Sequence, residues 1–285
     1  NTNLSEDERM LNELESRGYN VTVADLEPSN YHRADVFKYC DIMDNASVNE
    51  AIPDNVDVVY NFAGFANLEK ASDAPVESVQ LNVVGNLNVL EAARKKGCNH
   101  FVFASSAYAM SNKGSFYGIS KLASEKLVEE YKKKYNLDYT IIRYGSVYSE
   151  RNFENNYIYN LIKDAIKTGK IEHDGDGKET REYIHAADAA KLSADIIEDE
   201  RYLNQHIILT GYEKMKRIEL FEMINEILGN KLEINLNKSG YASHYSKTPY
   251  SFEPTLSKKL VNNPFIDMGQ GILECIKQIN NGEEQ

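Results

Sequence analysis

The sequence has no Trp, only three cysteines and no long apolar run, and each of these absences excludes a class of protein. No stretch approaches the roughly 18 consecutive apolar residues of a membrane-spanning helix, and no basic segment followed by an apolar one opens the chain. Cys40, Cys98 and Cys275 form no CxxC or metal-ligand spacing, and the six histidines form no HExxH pattern. We therefore expect a soluble, cytoplasmic protein with reduced thiols, no membrane partner and no metal site.

Positive charge is also scarce. The chain carries 32 Lys and Arg against 44 Asp and Glu, which gives a formal net charge of −12. Proteins that bind DNA or RNA contact the phosphate backbone mainly through clustered Lys and Arg. This balance argues against a nucleic-acid partner, and an anionic substrate would need local cations. The length of 285 residues suits one large domain or two closely packed ones.

What the sequence does contain is a regular alternation of helical and β-rich segments. Apolar spacing predicts helices at residues 5–18, 75–97 and 117–135, and short runs without polar alternation predict strands at 21–25, 56–64, 100–106 and 139–143. Parallel neighbours need crossover connections, so strands separated by such helices indicate a parallel sheet with both faces covered. The predicted fold class is α/β.

After residue 148 the chain changes to loops rich in Asn and Gly, followed by helices predicted at residues 157–167, 186–197 and 217–228 and strands at 207–210 and 232–236. We expect residues 1–149 to form a first domain, to which residues 184–212 return. Residues 150–183 and 213–285 would form a smaller lobe. Ligands of open α/β sheets bind beyond the carboxyl ends of the strands, and the lobe would cap that crevice.

A tyrosine and a lysine stand one helical turn apart in Tyr117-Gly-Ile-Ser-Lys121, so the phenol and the ammonium share a helix face. The spacing alone carries little information, because it recurs in Tyr212-Glu-Lys-Met-Lys216. Position separates the two pairs. The first follows the predicted strand that ends at Ser106, where a hydroxyl would project into the crevice, whereas the second lies in a polar turn. The first pair is the candidate active site, and a solvated helix start is the alternative.

Further motifs stand in a fixed order around this pair. They are Asp25, Cys40-Asp-Ile42, Asn61-Phe-Ala-Gly64, Asn82-Val-Val-Gly85-Asn-Leu, Leu90-Glu-Ala-Ala-Arg, Phe101-Val-Phe-Ala-Ser-Ser106, Arg143-Tyr-Gly-Ser-Val-Tyr148 and Arg181-Glu-Tyr-Ile-His185 with Asp188. Over residues 18–218 the chain resembles the extended short-chain dehydrogenase/reductases, and among them the nucleotide-sugar epimerases and dehydratases. The resemblance implies a Rossmann-like doubly wound parallel sheet, a dinucleotide-binding first domain, a C-terminal substrate-binding lobe and NAD as cofactor.

The resemblance also implies the catalytic roles. Tyr117 is the acid/base that transfers a proton, Lys121 binds the nicotinamide ribose and lowers the pKa of the phenol, and Ser106 hydrogen-bonds the reacting oxygen. Electrostatics agrees, because a neighbouring ammonium favours the phenolate and lowers a pKa that is ordinarily about 10. Ser105 is the alternative hydroxyl and should face the other side of its strand.

The cofactor contacts are implied in the same way. Asp25 would take both hydroxyls of the adenosine ribose and repel a 2′-phosphate, which favours NAD over NADP. A solvated acid at a strand end is the alternative for Asp25. The other implied contacts are Asp41 and Ile42 at the adenine, Ala63 and Gly64 at the close backbone approach, and Tyr144.

On the substrate side, Arg181 resembles the diphosphate-binding arginine of the lobe, and Asn155 and Asn156 resemble amide contacts to the sugar nucleotide. The alternative for all three is a polar surface loop. The aromatic-rich tail at residues 244–254 is a candidate wall of the sugar pocket or a packed loop. Asn82 is expected to steady the active-site strand, and Arg143 to form a structural ion pair.

One departure from the family pattern concerns the start of the chain. The family's first strand and Gly-x-x-Gly-x-x-Gly loop, which hold the pyrophosphate, are absent, and a capping box of Ser5 and Glu8 stands in their place. We expect the protein to begin earlier than Asn1 with that strand and turn. A gap should then separate the strands at residues 21–25 and 56–64.

A second departure concerns the reaction. The segment between Ser106 and Tyr117 is short, and Ala107 and Tyr108 stand where sugar 4,6-dehydratases carry an Asp–Glu pair for the elimination of water. The glutamate of the decarboxylating relatives is missing there as well. Without an acid and a base the elimination lacks its proton carriers, which disfavours a dehydratase.

The predicted function is NAD-dependent epimerisation of a nucleotide-diphosphate sugar, at C4 through a transient keto sugar. A keto-sugar reductase with the same residues is one alternative, and an inactive nucleotide-sugar or dinucleotide binding protein is another. A homodimer is expected, because the helices at residues 75–97 and 117–135 resemble the pair that builds a four-helix interface in this family.

Overall fold

The computed structural model describes residues 6–27, 35–111, 113–151, 156–237, 257–260 and 266–282. Helices and strands alternate along these residues. The helices are α1 (Glu6–Ser16), α2 (Asn45–Ala51), α3 (Leu68–Asp73), α4 (Pro75–Val79), α5 (Asn86–Lys95), α6 (Ser115–Tyr135), α7 (Tyr157–Thr168), α8 (Ala186–Ile197), α9 (Arg217–Ile227) and α10 (Met268–Gly282). The strands are β1 (Val23–Asp25), β2 (Phe37–Tyr39), β3 (Val58–Asn61), β4 (His100–Ser106), β5 (Asp138–Tyr144), β6 (Ser146–Tyr148), β7 (Lys170–Asp174), β8 (Thr180–His185), β9 (Gln205–Leu209), β10 (Lys214–Lys216), β11 (Glu233–Asn237) and β12 (Ser257–Leu260).

The main sheet contains five parallel strands in the order β12-β9-β5-β4-β3. Successive side chains of a strand point to opposite faces, so an apolar strand can pack on both. In β4, Phe101 and Phe103 join a cluster with Leu90 of α5 and Val128 of α6. Val102, between them, joins the cluster that contains Leu192 of α8. The predicted α/β fold, with helices on both faces of a parallel sheet, is confirmed.

Strands β1 and β2 form a separate parallel pair. Their carboxyl ends meet where the Cys40 amide donates to the Asp25 carbonyl at 2.9 Å, and the pair is joined to α5 by the amide of Asn88, which donates to the Ile42 carbonyl at 2.9 Å. Among the described strands no ladder connects β1 to β3. The expected gap between these two strands stays a prediction. The earlier start of the chain stays a prediction.

The later part of the chain has its own hydrophobic cluster. Ile162 of α7, Phe221 of α9 and Ile276 of α10 are buried together in it. Strands β7 and β11 form a parallel pair, and β8 lies between β6 and β10. Most of these elements fall within residues 150–183 and 213–285. The division of the chain into a first domain and a smaller lobe stays a prediction.

The structure differs from the prediction in one element that matters for the site. The helix predicted at residues 75–97 is interrupted, because residues Gln80–Gly85 form a π-helical turn between α4 and α5. A π-helical turn contains one more residue than an α-helical turn. The sequence did not reveal it, because the apolar periodicity continues on both sides of the turn. The elements β2, α2, α3, β6, β7, β8, β10, β12 and α10 were also not predicted.

All three cysteines are buried and free, as predicted. Across the described segments, no helix combines the length and the apolar character that crossing a bilayer requires.

Candidate active site

The predicted site residues gather at the carboxyl edge of the main sheet. Ser106 is the last residue of β4 and Tyr144 the last of β5, while Ala63 and Gly64 follow the end of β3. Strands β3, β4 and β5 are parallel neighbours, so these three ends meet at one edge. This edge is where open α/β sheets bind ligands.

Lys121 is buried at this edge with its ammonium below the end of β4. Its Nζ donates to the Ala104 carbonyl at 2.9 Å and lies 5.1 Å from the centre of the Phe103 ring. Burial lowers the pKa of Lys121 to about 8, and the charge of Glu125 opposes that shift. Near neutral pH, Lys121 is therefore a buried cation with two N–H groups beyond the one that Ala104 accepts.

Tyr117 lies in the first turn of α6 and is half-buried. The rings of Tyr117 and Tyr108 pack edge to face, with their centroids 6.3 Å apart. Ser106 Oγ accepts the amide of Tyr108 at 3.3 Å, whereas Ser105 Oγ turns away and donates to Glu125 at 2.5 Å. The two serines thus face opposite sides of β4, as predicted.

Asn82 occupies the π-helical turn and is buried. Its Oδ1 accepts the amide of Phe65 at 2.7 Å, and its Nδ2 donates to the Phe65 carbonyl at 3.1 Å and to Ser120 Oγ at 2.9 Å. Ser124 of α6 donates in turn to the Asn82 carbonyl at 2.6 Å. Asn82 therefore fixes the loop after β3 against the helix that carries Tyr117 and Lys121.

The predicted adenosine contacts lie together at the ends of β1 and β2. Asp25 Oδ1 accepts the Glu27 amide at 3.2 Å, and Asp41 Oδ1 accepts the Met43 amide at 2.8 Å. Ile42 is buried against Gly85, where an added Cβ would overlap with it. A carboxylate beside an apolar surface is suited to a ribose next to an adenine.

Gly64 tests whether a dinucleotide fits here. Its φ is +151°, and a Cβ at this position would overlap with Asn82 Oδ1 and stand 3.7 Å from Lys121 Nζ. Only glycine allows such a close backbone approach without strain. Gly64 and the buried ammonium of Lys121 thus lie close together after the ends of β3 and β4, while the predicted adenosine contacts reach the π-helical turn through Ile42 and Gly85. These residues fit NAD, and Tyr144, whose hydroxyl hydrogen-bonds Ser193 Oγ at 2.7 Å, borders the same edge.

The predicted substrate residues differ in their surroundings. Arg181 lies buried on β8 and donates to the Thr180 carbonyl at 3.0 Å. Asn156 caps α7 and donates to the Ser149 carbonyl at 2.8 Å. Both are buried, so neither belongs to the polar surface loop that was the alternative. The amide of Asn156 is engaged in local structure, and its substrate contact stays a prediction. Asn155 and the tail at residues 244–254 lie outside the described residues.

Sequence reasoning missed Arg217, the first residue of α9. Its guanidinium lies 3.8 Å from the centre of the Tyr157 ring and donates to the Tyr183 hydroxyl at 2.9 Å. Burial raises the pKa of Tyr157, while the charges of Arg217 and Arg181 both lower it. Two cations therefore act on one aromatic ring of the lobe. No local motif in the sequence predicts Arg217 as a site residue, because only the fold brings α9 next to Tyr157 and Tyr183.

A buried charged cluster was also missed. His185 Nε2 lies 3.4 Å from Glu150 Oε2 and 3.8 Å from Glu274 Oε2, and Arg9 of α1 pairs with Glu150. His185 Nδ1 accepts the Ala187 amide at 3.3 Å. These contacts connect α1, through Glu150, to the end of β8 and to α10.

Comparison with known proteins places this geometry in a family. Residues 8–209 match the model of the NAD dependent epimerase/dehydratase family. The chain belongs to that family. It is 25% identical over 293 residues to a putative UDP-glucose 4-epimerase of Methanocaldococcus jannaschii, which covers 95% of this chain and 94% of the relative.

Solved structures show the same fold. A UDP-glucose 4-epimerase of Thermus thermophilus in complex with NAD has a TM-score of 0.79 at 21% identity, over 97% of this chain and 96% of that one. A UDP-glucuronic acid 4-epimerase from Bacillus cereus in complex with UDP-glucuronic acid and NAD has a TM-score of 0.80 at 20% identity, over 96% and 95%. The predicted family, fold and cofactor are confirmed, and the predicted activity is the one named for these relatives.

Proposed function

We propose that this protein interconverts the C4 epimers of a UDP-hexose or another nucleotide-diphosphate hexose, with NAD regenerated in each cycle. The observation that carries the proposal is the buried ammonium of Lys121 one helical turn from Tyr117, at the strand end that presents Ser106. Asp25, Asp41, Ile42, Ala63, Gly64 and Tyr144 are proposed as the cofactor contacts, together with Tyr117 and Lys121.

Tyr117 moves the proton in this proposal. As phenolate it accepts the proton of the C4 hydroxyl, and as phenol it returns a proton to the keto oxygen. The positive charge of Lys121 stabilises the phenolate, and the hydroxyl of Ser106 hydrogen-bonds the reacting oxygen. Bound NAD would accept a hydride from C4 and return it to the opposite face of the keto sugar.

The lobe would hold the nucleotide diphosphate. Arg181 and Arg217 would supply the positive charge, which is scarce in this acidic chain. A guanidinium group is planar and can donate two parallel hydrogen bonds to the oxygens of a phosphate. Asn155 and Asn156 are proposed for the sugar nucleotide. The sum of these contacts would keep the keto sugar bound while it turns over.

We further propose that the protein is a homodimer in the cytoplasm. Exposed apolar side chains on α4 and α6 support the dimer: Val76, Val79, Phe116, Ile119 and Leu122. Three free thiols support a reducing compartment.

The test has two parts. The purified protein is denatured, and released NAD is measured. The native protein is then incubated with UDP-glucose, UDP-glucuronic acid or UDP-N-acetylglucosamine, and the C4 epimer is measured by NMR. We expect bound NAD and an epimer mixture without net NADH. Stoichiometric consumption of NADH would support the keto-sugar reductase instead, and absence of both dinucleotide and turnover would support the inactive binding protein.

A further inference from the structure

Three side chains meet at one buried carboxylate beneath the active site. Glu125 of α6 is fully buried. It accepts Ser105 Oγ at 2.5 Å, and it accepts Arg143 Nε at 2.8 Å and Nη2 at 2.6 Å. His206 Nδ1 of β9 lies 3.6 Å from its Oε2. One carboxylate on α6 thus binds two neighbouring strands of the main sheet, β4 and β5, and lies beside β9.

The same carboxylate stands next to the residues of the reaction. Glu125 follows Lys121 by one helical turn, and the two contact consecutive residues at the end of β4. Lys121 binds the Ala104 carbonyl, Glu125 binds the Ser105 hydroxyl, and Ser106 comes next. A shift of Glu125 would therefore move Lys121 and Ser106 together.

Charge gives Glu125 a second role. Lys121 and Arg143 are both buried cations, and an isolated buried ammonium loses its proton readily. Lys121 Nζ contacts the Phe103 ring and the Ala104 carbonyl of β4 and lies near the loop at Gly64. Tyr117 and Glu125 stand one helical turn away from it on α6. Glu125 is the negative charge that raises the pKa of Lys121 against the effect of burial.

His206 does not add a third cation at this position. Burial lowers the pKa of its imidazole, although Glu125 and Glu129 act in the opposite direction, and its Nε2 lies 2.9 Å from Glu129 Oε1. Near neutral pH the buried charges beneath the site are therefore one negative charge, on Glu125, and two positive charges, on Lys121 and Arg143.

We propose that Glu125 is a positioning residue for the proton transfer: it keeps the Lys121 ammonium charged and fixes the strand end that presents Ser106. The inference deepens the proposed function and rests on it. It predicts that loss of the Glu125 charge acts on the titration of Lys121 as well as on stability.

The test measures the pKa of Lys121 directly. Protein labelled with 13C at the lysine Cε is titrated by NMR, and the Lys121 signal is assigned by its loss in Lys121→Arg. In Glu125→Gln we expect the pKa of Lys121 to fall by about one pH unit or more. The alkaline limb of the kcat profile should move to lower pH by the same amount, with about a fivefold loss of kcat at pH 8 for a shift of about one unit and a KM for the sugar nucleotide within about twofold.

Two controls separate charge from packing. Glu129→Gln, on the same helix but against His206 and Lys126, should leave the Lys121 titration unchanged. The double variant Glu125→Gln/Arg143→Gln removes both members of the buried pair, which a fold tolerates better than the loss of one. Its Lys121 pKa should stay below the wild-type value, and this variant carries the comparison if Glu125→Gln alone does not fold.

An unchanged Lys121 pKa in Glu125→Gln would overturn the inference, and so would a wild-type pKa in the double variant, which would limit Glu125 to neutralising Arg143. A wild-type protein that turns over no sugar would count against the proposed function instead, since the NMR titration needs no substrate.

Discussion

At the scale of single residues, surroundings separate two identical motifs. Tyr117 and Lys121 lie at the carboxyl edge of the main sheet, half-buried and buried, whereas Tyr212 is 67% exposed in a turn after β9. A buried ammonium one helical turn from a phenol favours the phenolate, which is the basis of the role proposed for Tyr117. The spacing alone does not show this difference in burial between the two pairs.

We expect Tyr117→Phe to abolish turnover with the fold and NAD binding intact. The substitution removes one proton-transferring oxygen with almost no change in volume, and loss of general acid–base catalysis costs about 10²–10⁴-fold. Tyr212→Phe is the matched control and should have wild-type activity. Near wild-type kcat in Tyr117→Phe, measured by NMR of the epimer ratio, would return Tyr117 to a structural role.

Asp25 is expected to set the preference for NAD. A carboxylate at this strand end repels the 2′-phosphate of NADP, so Asp25→Ala should weaken NAD binding and reduce the discrimination against NADP. Asp176→Ala, in an exposed loop of the lobe, should change neither affinity. The two dissociation constants are measured by calorimetry, and tighter binding of NADP by the unmodified protein would contradict the assignment.

At the scale of single elements, the π-helical turn between α4 and α5 connects two parts of the candidate site. Asn82 of this turn holds both backbone groups of Phe65 and the hydroxyl of Ser120. π-turns within α-helices occur frequently at functional sites, because the extra residue redirects one side chain. Here the redirected side chain joins the loop after β3 to α6.

We expect Asn82→Ala to lower the free energy of unfolding by about 2 kcal/mol and to lower kcat as well. The buried amide of Phe65 would lose its acceptor, and an unsatisfied buried donor costs about 1–3 kcal/mol. Asn88→Ala, which removes one hydrogen bond to the Ile42 carbonyl, is the control and should cost less. Urea denaturation measures the free energy of unfolding of both variants. Equal decreases in the two variants would contradict the bridging role of Asn82.

Strand β4 carries a histidine that makes stability depend on pH. Burial lowers the pKa of His100 to about 4, below the roughly 6.5 of an unfolded chain. Between these values the unfolded state binds a proton that the folded state does not, so stability falls as pH falls from about 6.5 to about 4. The loss reaches up to about 3 kcal/mol.

His100→Gln should remove this part of the acid sensitivity while retaining a hydrogen bond to Thr140 Oγ1, which His100 contacts at 2.9 Å. The measurement is the difference in Tm between variant and wild type at pH 7 and pH 4.5. A constant difference would show that His100 does not contribute to the pH dependence. His173→Gln, half-buried beside Glu179, is the matched control.

At the scale of the whole molecule, α4 and α6 expose apolar side chains on one side of the sheet. Val76 is 69% and Ile119 64% exposed. Large exposed apolar patches often belong to protein–protein interfaces, which is why these side chains support the proposed dimer. A two-fold axis would bring this surface against its own copy, which is the arrangement of most homodimers.

We expect the protein to have twice the 32.4 kDa mass of one chain in light scattering at micromolar concentration, and Ile119→Lys to shift it to monomer. Near a two-fold axis the introduced lysine lies close to the same lysine of the second copy. The dimer is therefore destabilised by charge repulsion and by the burial of charge as well as by the loss of the apolar contact. Tyr212→Lys, equally exposed elsewhere, should remain a dimer. A monomeric wild-type protein would contradict this arrangement.

The sequence by itself determined the α/β class, the order of the main helices and strands, and the positions of Ser106, Tyr117 and Lys121 at a strand end and a helix start. It could do so because hydrophobic periodicity and motif spacing are local properties. The family resemblance added the cofactor, since the motifs occur in a fixed order.

Only the tertiary structure decided which polar groups share a buried environment. Arg143 and Glu125 meet across a strand and a helix, Asn82 reaches Phe65 through a π-turn, and Arg217 lies on the ring of Tyr157. Burial among these elements lowers the pKa of Lys121, because desolvation depends on everything that packs around a group, including elements distant in sequence.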